Sequence, residues 1–294
     1  MTEFADPRYR WLDQWDSRTA LGAIWESQMA ALAAIGPALP RLAGIVEAAL
    51  PRLRTGGRLI YAGAGTSIRI AVQDGTELAP TFNWPEARVQ YLIAGGEEAL
   101  RRGIEGAEDD AEAARAQVAR VAPGVQDVVI GLAASGRTPF TVAAVEAARA
   151  AGALTVGITC NRDVPLLAVA EHGVLLETGA EVVAGSTRMK AGTVQKVVLN
   201  MLSTQIMVRL GHVHDGQMVD LRAQNDKLRA RARDMVARIA GVGPEAAQGA
   251  LEACDWRVKP AVLVALGLTP ERAGLALAQA GDVLRVALGA LDAR

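Results

Sequence analysis

The stretch R58-L-I-Y-A-G-A-G-T-S67 passes from an apolar run directly into glycine, threonine and serine. The run has the length and composition of a buried strand, and the residues that follow Ser67 have a helical pattern. A strand that ends in such a turn just before a helix aims free backbone N–H groups and the positive end of the helix dipole at one point. We therefore expect this turn to hold an anionic group.

A second turn of the same type, AASGRTP at 133–139, follows another apolar run. Ser135 and Thr138 add hydroxyl donors, and Pro139 suits the first turn of a following helix. Two such turns on one sheet favour a single ligand bound between them. The alternative is that Ser67 and Thr138 only cap helices, as serine and threonine commonly do.

Neither turn is a nucleotide-binding motif. The dinucleotide fingerprint G-x-G-x-x-G needs glycine where Ile68 stands, and Glu86 precedes the next predicted strand instead of ending it. The sequence also has no GxxxxGK[ST] loop. A nicotinamide cofactor and nucleotide triphosphate hydrolysis are both disfavoured.

Short strand-like runs alternate with helical patterns through the middle of the chain. The runs lie at 58–62, 89–93, 127–132, 154–159 and 173–176. This alternation predicts an α/β fold with a parallel sheet that helices cover on both faces.

Helical patterns precede and follow the strands. Residues 17–53 are rich in alanine and leucine, residues 189–210 repeat apolar positions at helical spacing, and four more helical patterns follow residue 240. We expect three parts: an N-terminal helical lead-in at 1–55, a central domain at 56–232, and a small all-helical C-terminal domain at 233–294.

The composition is that of a globular protein without a strong field of its own. Hydrophobic residues make up 51% and the net charge is −1, which leaves nothing to attract nucleic acid or an anionic membrane. The two cysteines, Cys160 and Cys254, have neither disulfide-framework nor metal spacing. The first residues have no apolar leader pattern, and no uninterrupted apolar stretch reaches about 18 residues. We expect a cytoplasmic protein in a reducing compartment.

Two acidic segments contain candidates for acid/base chemistry. Glu77 lies in DGTELAP at 74–80, where proline and apolar neighbours favour partial desolvation and a proton held at neutral pH. The run IEGAEDD at 104–110 places Glu105, Glu108 and Asp109 within about one helical turn. The alternative for this run is a solvated acidic helix face. His212 and His214 lie two residues apart with Asp215 adjacent, a spacing that can bind a metal but is more often polar surface, so no metal is expected.

Several segments together resemble one enzyme family, the N-acetylmuramic acid 6-phosphate etherases. They run in order along the chain: RLIYAGAGTS (58–67), IAGGE (93–97), EGAEDD (105–110), AASGRTP (133–139), EVVAGSTRMKAG (181–192) and NMLST (200–204). The resemblance implies a sugar isomerase (SIS) fold, with a five-stranded parallel sheet flanked by helices, and a homodimer. It also implies cleavage of the ether between D-lactate and the phosphorylated amino sugar, by elimination and then addition of water, without a metal or other cofactor, in cell-wall recycling.

The resemblance assigns roles to particular residues. The acid/base pair falls on Glu77, as the acid toward the leaving lactate, and on Glu108, as the base. Substrate contacts fall on residues of the two turns and of the GSTRMK segment: Thr66, Ser67, Ser135, Gly136, Thr138, Ser186 and Lys190. The alternative for Arg188 and Lys190 is that they face water in a first helical turn, although positive charge there opposes the helix dipole.

The chain departs from the family pattern at three places. Ile68 replaces a glycine after G-T-S and is expected to add a branched side chain at the mouth of the first turn. DGTELAP replaces the more usual DASECPP, and the N-terminal segment matches poorly.

Two other functions remain open from the sequence. A phosphosugar aldose–ketose isomerase would also move the C2 proton but would keep the C3 substituent. A phosphosugar sensor would need the two turns but no acid/base pair, so Glu77 and Glu108 together favour an enzyme.

Overall fold

A computed structural model describes residues 2–221, 223 and 225–292 of the chain. It has five long strands: β1 (Leu59–Gly63), β2 (Val89–Ile93), β3 (Val128–Leu132), β4 (Leu154–Thr159) and β5 (His172–Leu175). They form one parallel sheet in the order β2-β1-β3-β4-β5. β1, β3 and β4 are buried at every residue, as expected of central strands covered on both faces. The predicted α/β fold is confirmed, and each strand lies within one residue of its predicted bounds.

Seven helices accompany the sheet: α1 (Ser17–Leu32), α2 (Leu39–Arg54), α3 (Gly65–Phe82), α4 (Ala111–Val121), α5 (Pro139–Ala150), α6 (Pro165–Val169) and α7 (Lys190–Leu210). Side chains fix several of their starts. The Asp16 carboxylate accepts the N–H groups of Arg18 and Thr19 at α1, and Asp110 accepts the N–H of Ala113 at α4.

The contacts divide the chain into two compact units, and the divisions fall within α3 and α7. The first unit comprises Met1–Gly75 and Ala87–Ser203. On one face of its sheet, Ile60 and Val129 pack against α4 and α5 through Val118 and Phe140. α2 packs against β3, β4 and β5. The alternation of apolar side chains on the strands thus builds a core on both sides of the sheet.

The second unit comprises Thr76–Glu86 and Thr204–Arg294. Besides the ends of α3 and α7, it contains β6 (Val213–His214), β7 (Gln217–Met218), α8 (Asp226–Ala240), α9 (Pro244–Glu252), α10 (Val258–Ala265), α11 (Pro270–Gln279) and α12 (Leu284–Asp292). β6 and β7 form a hairpin whose turn residues, Asp215 and Gly216, both have positive φ, as a tight hairpin turn requires. The domain boundaries at 55 and 232 stay a prediction.

One helical run in the described residues, Ser17–Arg54, has the length and mean hydropathy of a membrane span. A single run of this kind is weak evidence, because the core helices of many proteins have the same composition. In this chain α2, the second half of the run, buries Leu42, Ile45 and Leu50 and packs against the sheet.

Candidate active site

The two glycine turns lie side by side at the carboxyl edge of the sheet. β1 and β3 are neighbours, and their last residues, Gly63 and Leu132, pair in register. The chain leaves β1 for β2 on one side and later enters β3 on the other side, so the strand order reverses between β1 and β3. Ligands of open α/β sheets bind in the crevice at such a reversal. The turns therefore meet where this fold favours a ligand.

A cavity of about 400 Å³ opens between the two turns. Gly65, Thr66 and Ser67 line it from the first turn, and Ser135 and Thr138 line it from the second. This volume is in the range of small-molecule sites. Four of the predicted substrate contacts are thus brought together around one space.

Ser67 does not cap α3. The helix begins at Gly65, and the buried Ser67 hydroxyl donates a hydrogen bond to Oε1 of Gln195 at 3.0 Å. Gln195 lies on α7, and its Nε2 has no hydrogen-bond partner within the described part of the chain. The capping interpretation of Ser67 is wrong. A glutamine between the apolar residues Val194 and Val198 was the only sequence signal for this neighbour.

Thr138 also leaves its helix uncapped. It precedes α5, but its side chain makes no hydrogen bond to the helix backbone. Its Oγ1 lies 3.5 Å from Oγ of Ser135, which accepts the N–H of Arg137 at 3.2 Å. Because both hydroxyls line the cavity, they are placed to contact a ligand.

The end of β4 supports the second turn from behind. The carbonyl oxygen of Ala134 accepts hydrogen bonds from Thr159 Oγ1 at 3.2 Å and Asn161 Nδ2 at 3.0 Å. Gly136 is buried and donates its N–H to the carbonyl of Ala133 at 2.9 Å, which closes the turn. Burial raises the pKa of the neighbouring Cys160 thiol to about 12, so this thiol stays protonated and is a poor nucleophile.

Glu108 lies at the cavity on a short 3₁₀ turn, Ala107–Asp109. Glu108 and Asp109 are exposed, and both line the space between the turns. Glu105 lines an adjoining cavity of about 310 Å³ instead, together with Arg69 and Glu108. The acidic run is therefore exposed to solvent, as the alternative interpretation expects, and its residues Glu108 and Asp109 also border the two turns.

Glu77 belongs to the second unit and lies in the second half of α3. Its side chain is exposed, whereas the next residue, Leu78, is buried. The expected partial desolvation of Glu77 is therefore wrong for this structure. An apolar neighbour in sequence shares little of its environment with a helical residue, because adjacent side chains point in directions about 100° apart.

The segment before α7 contributes Gly185 and Thr187 to the cavity lining. Ser186 is half-buried and donates its N–H to the carbonyl of Val183 at 2.9 Å. Lys190 is the first residue of α7 and is buried, while Arg188 is exposed. The interpretation that Lys190 faces water is wrong, and burial lowers the pKa of its ammonium group.

A buried carboxylate already fills the amino end of α7. Glu181 is fully buried and accepts the N–H groups of Lys190 at 3.1 Å and Ala191 at 2.9 Å. Burial raises the pKa of Glu181, and the two backbone hydrogen bonds oppose that rise. Two of the free N–H groups at the start of α7 are thus satisfied by a carboxyl group of the chain itself.

Ile68 lies in the core. Its side chain is fully buried, on the inner side of the first turn. The expectation that it stands at the mouth of this turn is wrong. It therefore has no direct effect on the shape of the cavity entrance.

The histidines of the β6–β7 region pair with carboxylates. Nδ1 of His212 lies 2.8 Å from Asp220, and Nε2 of His214 lies 3.6 Å from Asp215. Among residues 2–221, 223 and 225–292, no group of three His, Cys, Asp or Glu residues has the arrangement of a metal site.

The fold and the paired turns define a class of protein. Residues 106–205 match the SIS domain, and residues 41–149 match the N-terminal SIS domain of glucokinase regulatory protein. A phosphoheptose isomerase from Francisella tularensis superposes with a TM-score of 0.53 at 18% identity, over 66% of this chain and 100% of that one. The protein is a SIS-domain protein.

Full-length similarity then gives the particular family. The chain is 48% identical over 289 residues to the N-acetylmuramic acid 6-phosphate etherase of Deinococcus radiodurans, covering 98% of this chain and 95% of that one. It is 51% identical over 259 residues to the etherase of the same name from Streptomyces coelicolor, covering 88% and 83%. The chain belongs to the N-acetylmuramic acid 6-phosphate etherase family.

Proposed function

We propose that this enzyme cleaves the lactyl ether of N-acetylmuramic acid 6-phosphate and gives N-acetylglucosamine 6-phosphate and D-lactate. The observation that carries the proposal is the 48% identity to a named etherase over 98% of the chain. The reaction is elimination of lactate followed by addition of water. It would serve the recycling of cell-wall amino sugars.

The two turns are proposed to hold the phosphorylated sugar. Backbone N–H groups near the start of α3 and α5 favour an anion through their partial positive charge. The hydroxyls of Thr66, Ser135 and Thr138 add neutral donors, while the Ser67 oxygen, whose proton is donated to Gln195, is an acceptor. Gly136 shapes the second turn. Ser186 and Lys190 are proposed to complete the contacts through the segment that ends at α7.

The acid/base work is assigned to Glu108 and Glu77. Opening of the sugar ring exposes an aldehyde, which acidifies the proton on C2, so a carboxylate can remove it. Lactate then leaves C3, and its departure is helped by a proton donor. Glu108, at the cavity, is proposed as the base, and Glu77 is proposed as the acid.

A cytoplasmic homodimer is part of the same proposal. α1 carries the apolar side chains of Leu21, Trp25 and Met29 on its exposed face, at intervals of four residues. Such a stripe is typical of a helix that packs against a partner. Both cysteines are buried and free, as expected in a reducing compartment.

The deciding experiment is an assay of D-lactate release from N-acetylmuramic acid 6-phosphate. Glu108→Gln and Glu77→Gln should each lower kcat about 100-fold or more, because general acid or base catalysis is lost. Glu105→Gln is the matched control, since Glu105 is an exposed acid of the same run, and it should stay close to the wild type. Ketose formation without lactate would favour an isomerase, and sugar-phosphate binding without any turnover would favour a sensor.

A further inference from the structure

The N-terminal segment is anchored beside the cavity through Thr2. Thr2 is fully buried. Its N–H donates to Oδ1 of Asn161 at 3.2 Å, and its hydroxyl accepts from Nδ2 of Asn161 at 3.0 Å. Its carbonyl accepts the N–H of Gly185 at 3.2 Å. Three hydrogen bonds to residues far along the chain hold this one residue in place.

The anchor connects the segment to two walls of the cavity. Asn161 also donates to the carbonyl of Ala134 in the second turn, at 3.0 Å. Gly185 lines the cavity on another side. The position of Thr2 is therefore set by the same turn and loop that shape the site.

The next residue, Glu3, lines the cavity. Its carboxylate stands against Gly185, where an added Cβ would lie only 2.9 Å from Glu3 Oε2. Gly185 also has a φ of +73°, which favours glycine. The absence of a side chain at Gly185 thus leaves room for the Glu3 carboxylate at the site.

The charges around the cavity restrict what Glu3 can contact. The carboxylates of Glu3, Glu108 and Asp109 line it, together with the guanidinium of Arg137. A carboxylate repels a phosphate at close range and accepts hydrogen bonds from hydroxyl and amide N–H groups. Sugar hydroxyls and an acetamido N–H are such donors.

We propose that Glu3 is a sugar-binding residue whose carboxylate accepts hydrogen bonds from hydroxyl or amide N–H groups of the substrate, and that the Thr2 anchor positions it. The inference rests on the proposed function for the presence of a phosphorylated amino sugar in this cavity. It adds a specificity contact from a segment that lies outside the two turns and the acid/base pair.

Binding of two probes separates the sugar contact from the phosphate contact. Calorimetric titration with N-acetylglucosamine 6-phosphate should show a Kd raised about 10-fold in Glu3→Ala, since a hydrogen bond to a charged group is lost. Glu3→Gln should lose less affinity for this sugar phosphate, because the amide oxygen can still accept a hydrogen bond. Titration with inorganic phosphate should show an unchanged or lower Kd, because a nearby negative charge is removed. Glu146→Gln, at an exposed acid on α5, is the control and should match the wild type for both probes.

An equal increase in Kd for both probes in Glu3→Ala, or an unchanged Kd for the sugar phosphate, would overturn the proposal. Because the titration does not require turnover, a wild-type protein that binds the sugar phosphate but releases no lactate would refute the etherase activity and leave Glu3 still tested. The anchor is tested in the same way. Thr2→Val should reproduce part of the Glu3→Ala effect, and Thr2→Ser, which keeps the hydroxyl, should restore the wild-type Kd.

Discussion

Gly136 shows how one residue shapes the second turn. Its φ is +68°, and an added Cβ would lie 2.3 Å from Val164 Cγ2 and 2.5 Å from Thr159 Oγ1. The positive φ requires a residue that readily adopts left-handed backbone, and the short distances leave no room for a side chain. The backbone conformation of Gly136 and its lack of a side chain together position the hydroxyls of Ser135 and Thr138 on either side of it.

Gly136→Ala should lower the free energy of unfolding by about 2–5 kcal/mol, because backbone strain and overpacking add. Gly106→Ala is the matched control: Gly106 has left-handed backbone with a φ of +71° but no atom within 4 Å of an added Cβ. This control should cost only about 1–2 kcal/mol, from backbone strain alone. Urea unfolding of both variants measures the difference, and equal losses would show that the close approach to Val164 and Thr159 is unimportant.

At the scale of elements, a buried carboxylate joins β1, α3 and α7 within the first unit. Asp74 on α3 accepts hydrogen bonds from Tyr61 at 3.1 Å, Asn200 at 2.8 Å and Ser203 at 3.1 Å. Burial raises the pKa of Asp74, and these hydrogen bonds only partly oppose the rise. The charged form of this carboxyl is thus less favourable in the folded chain than in the unfolded one.

The contribution of Asp74 to stability should therefore fall as the pH rises. Its folded pKa lies above the unfolded value of about 3.9, so the folded state holds the proton over a pH interval in which the unfolded state has lost it. Urea unfolding should be measured for wild type and Asp74→Asn from pH 4 to pH 7. The free energy of unfolding of the wild type should fall relative to that of the variant as the pH increases. A difference that is constant with pH would contradict this assignment.

The contribution of Asp127 to stability should change with pH in the opposite direction. Burial works to raise the pKa of Asp127, but hydrogen bonds from Arg58 and Gly124 together outweigh it and hold the pKa below its usual range. The stabilisation by Asp127 is present above the unfolded pKa of about 3.9 and is lost as the pH falls toward the folded value. Asp127→Asn should cost about 1–3 kcal/mol at pH 7 and progressively less on acidification. The same unfolding series measures it, and a cost that grows at low pH would refute the assignment.

At the scale of the whole molecule, the exposed stripe on α1 concerns assembly. Leu21 is 65% exposed, Trp25 64% and Met29 52%. Burial of their remaining exposed surface against a second copy would contribute roughly 1–2 kcal/mol for each side chain, because about half to two-thirds of each is exposed. The stripe is therefore the surface that we expect to be covered in the homodimer.

Trp25→Asp should convert the proposed homodimer to a monomer, because it places an unpaired charge in an apolar interface. Light scattering coupled to size-exclusion chromatography measures the mass. Val125→Asp is the control at another exposed apolar side chain, 70% exposed in the loop before β3, and it should remain dimeric. A dimer that survives Trp25→Asp would place the interface elsewhere, and a monomeric wild type would refute the homodimer itself.

Local sequence patterns were sufficient to predict much of the structure of this protein. The five strands, α7, the two glycine turns and the acidic run at Glu108 follow from apolar periodicity and from glycine at strand ends, and the motifs around them are specific enough to indicate the family. Each of these features depends on residues close together in the chain, so the sequence carries it directly.

Only the tertiary structure decided which side chains are buried and which residues far apart in the sequence form hydrogen bonds. It buries Lys190 and Ile68, exposes Glu77, and places Glu181 at the start of α7. It also joins Ser67 to Gln195 across 128 positions and Thr2 to Asn161 across 159. A side chain's exposure and hydrogen bonds depend on which distant segments pack against it, and no periodic pattern along the chain specifies those neighbours.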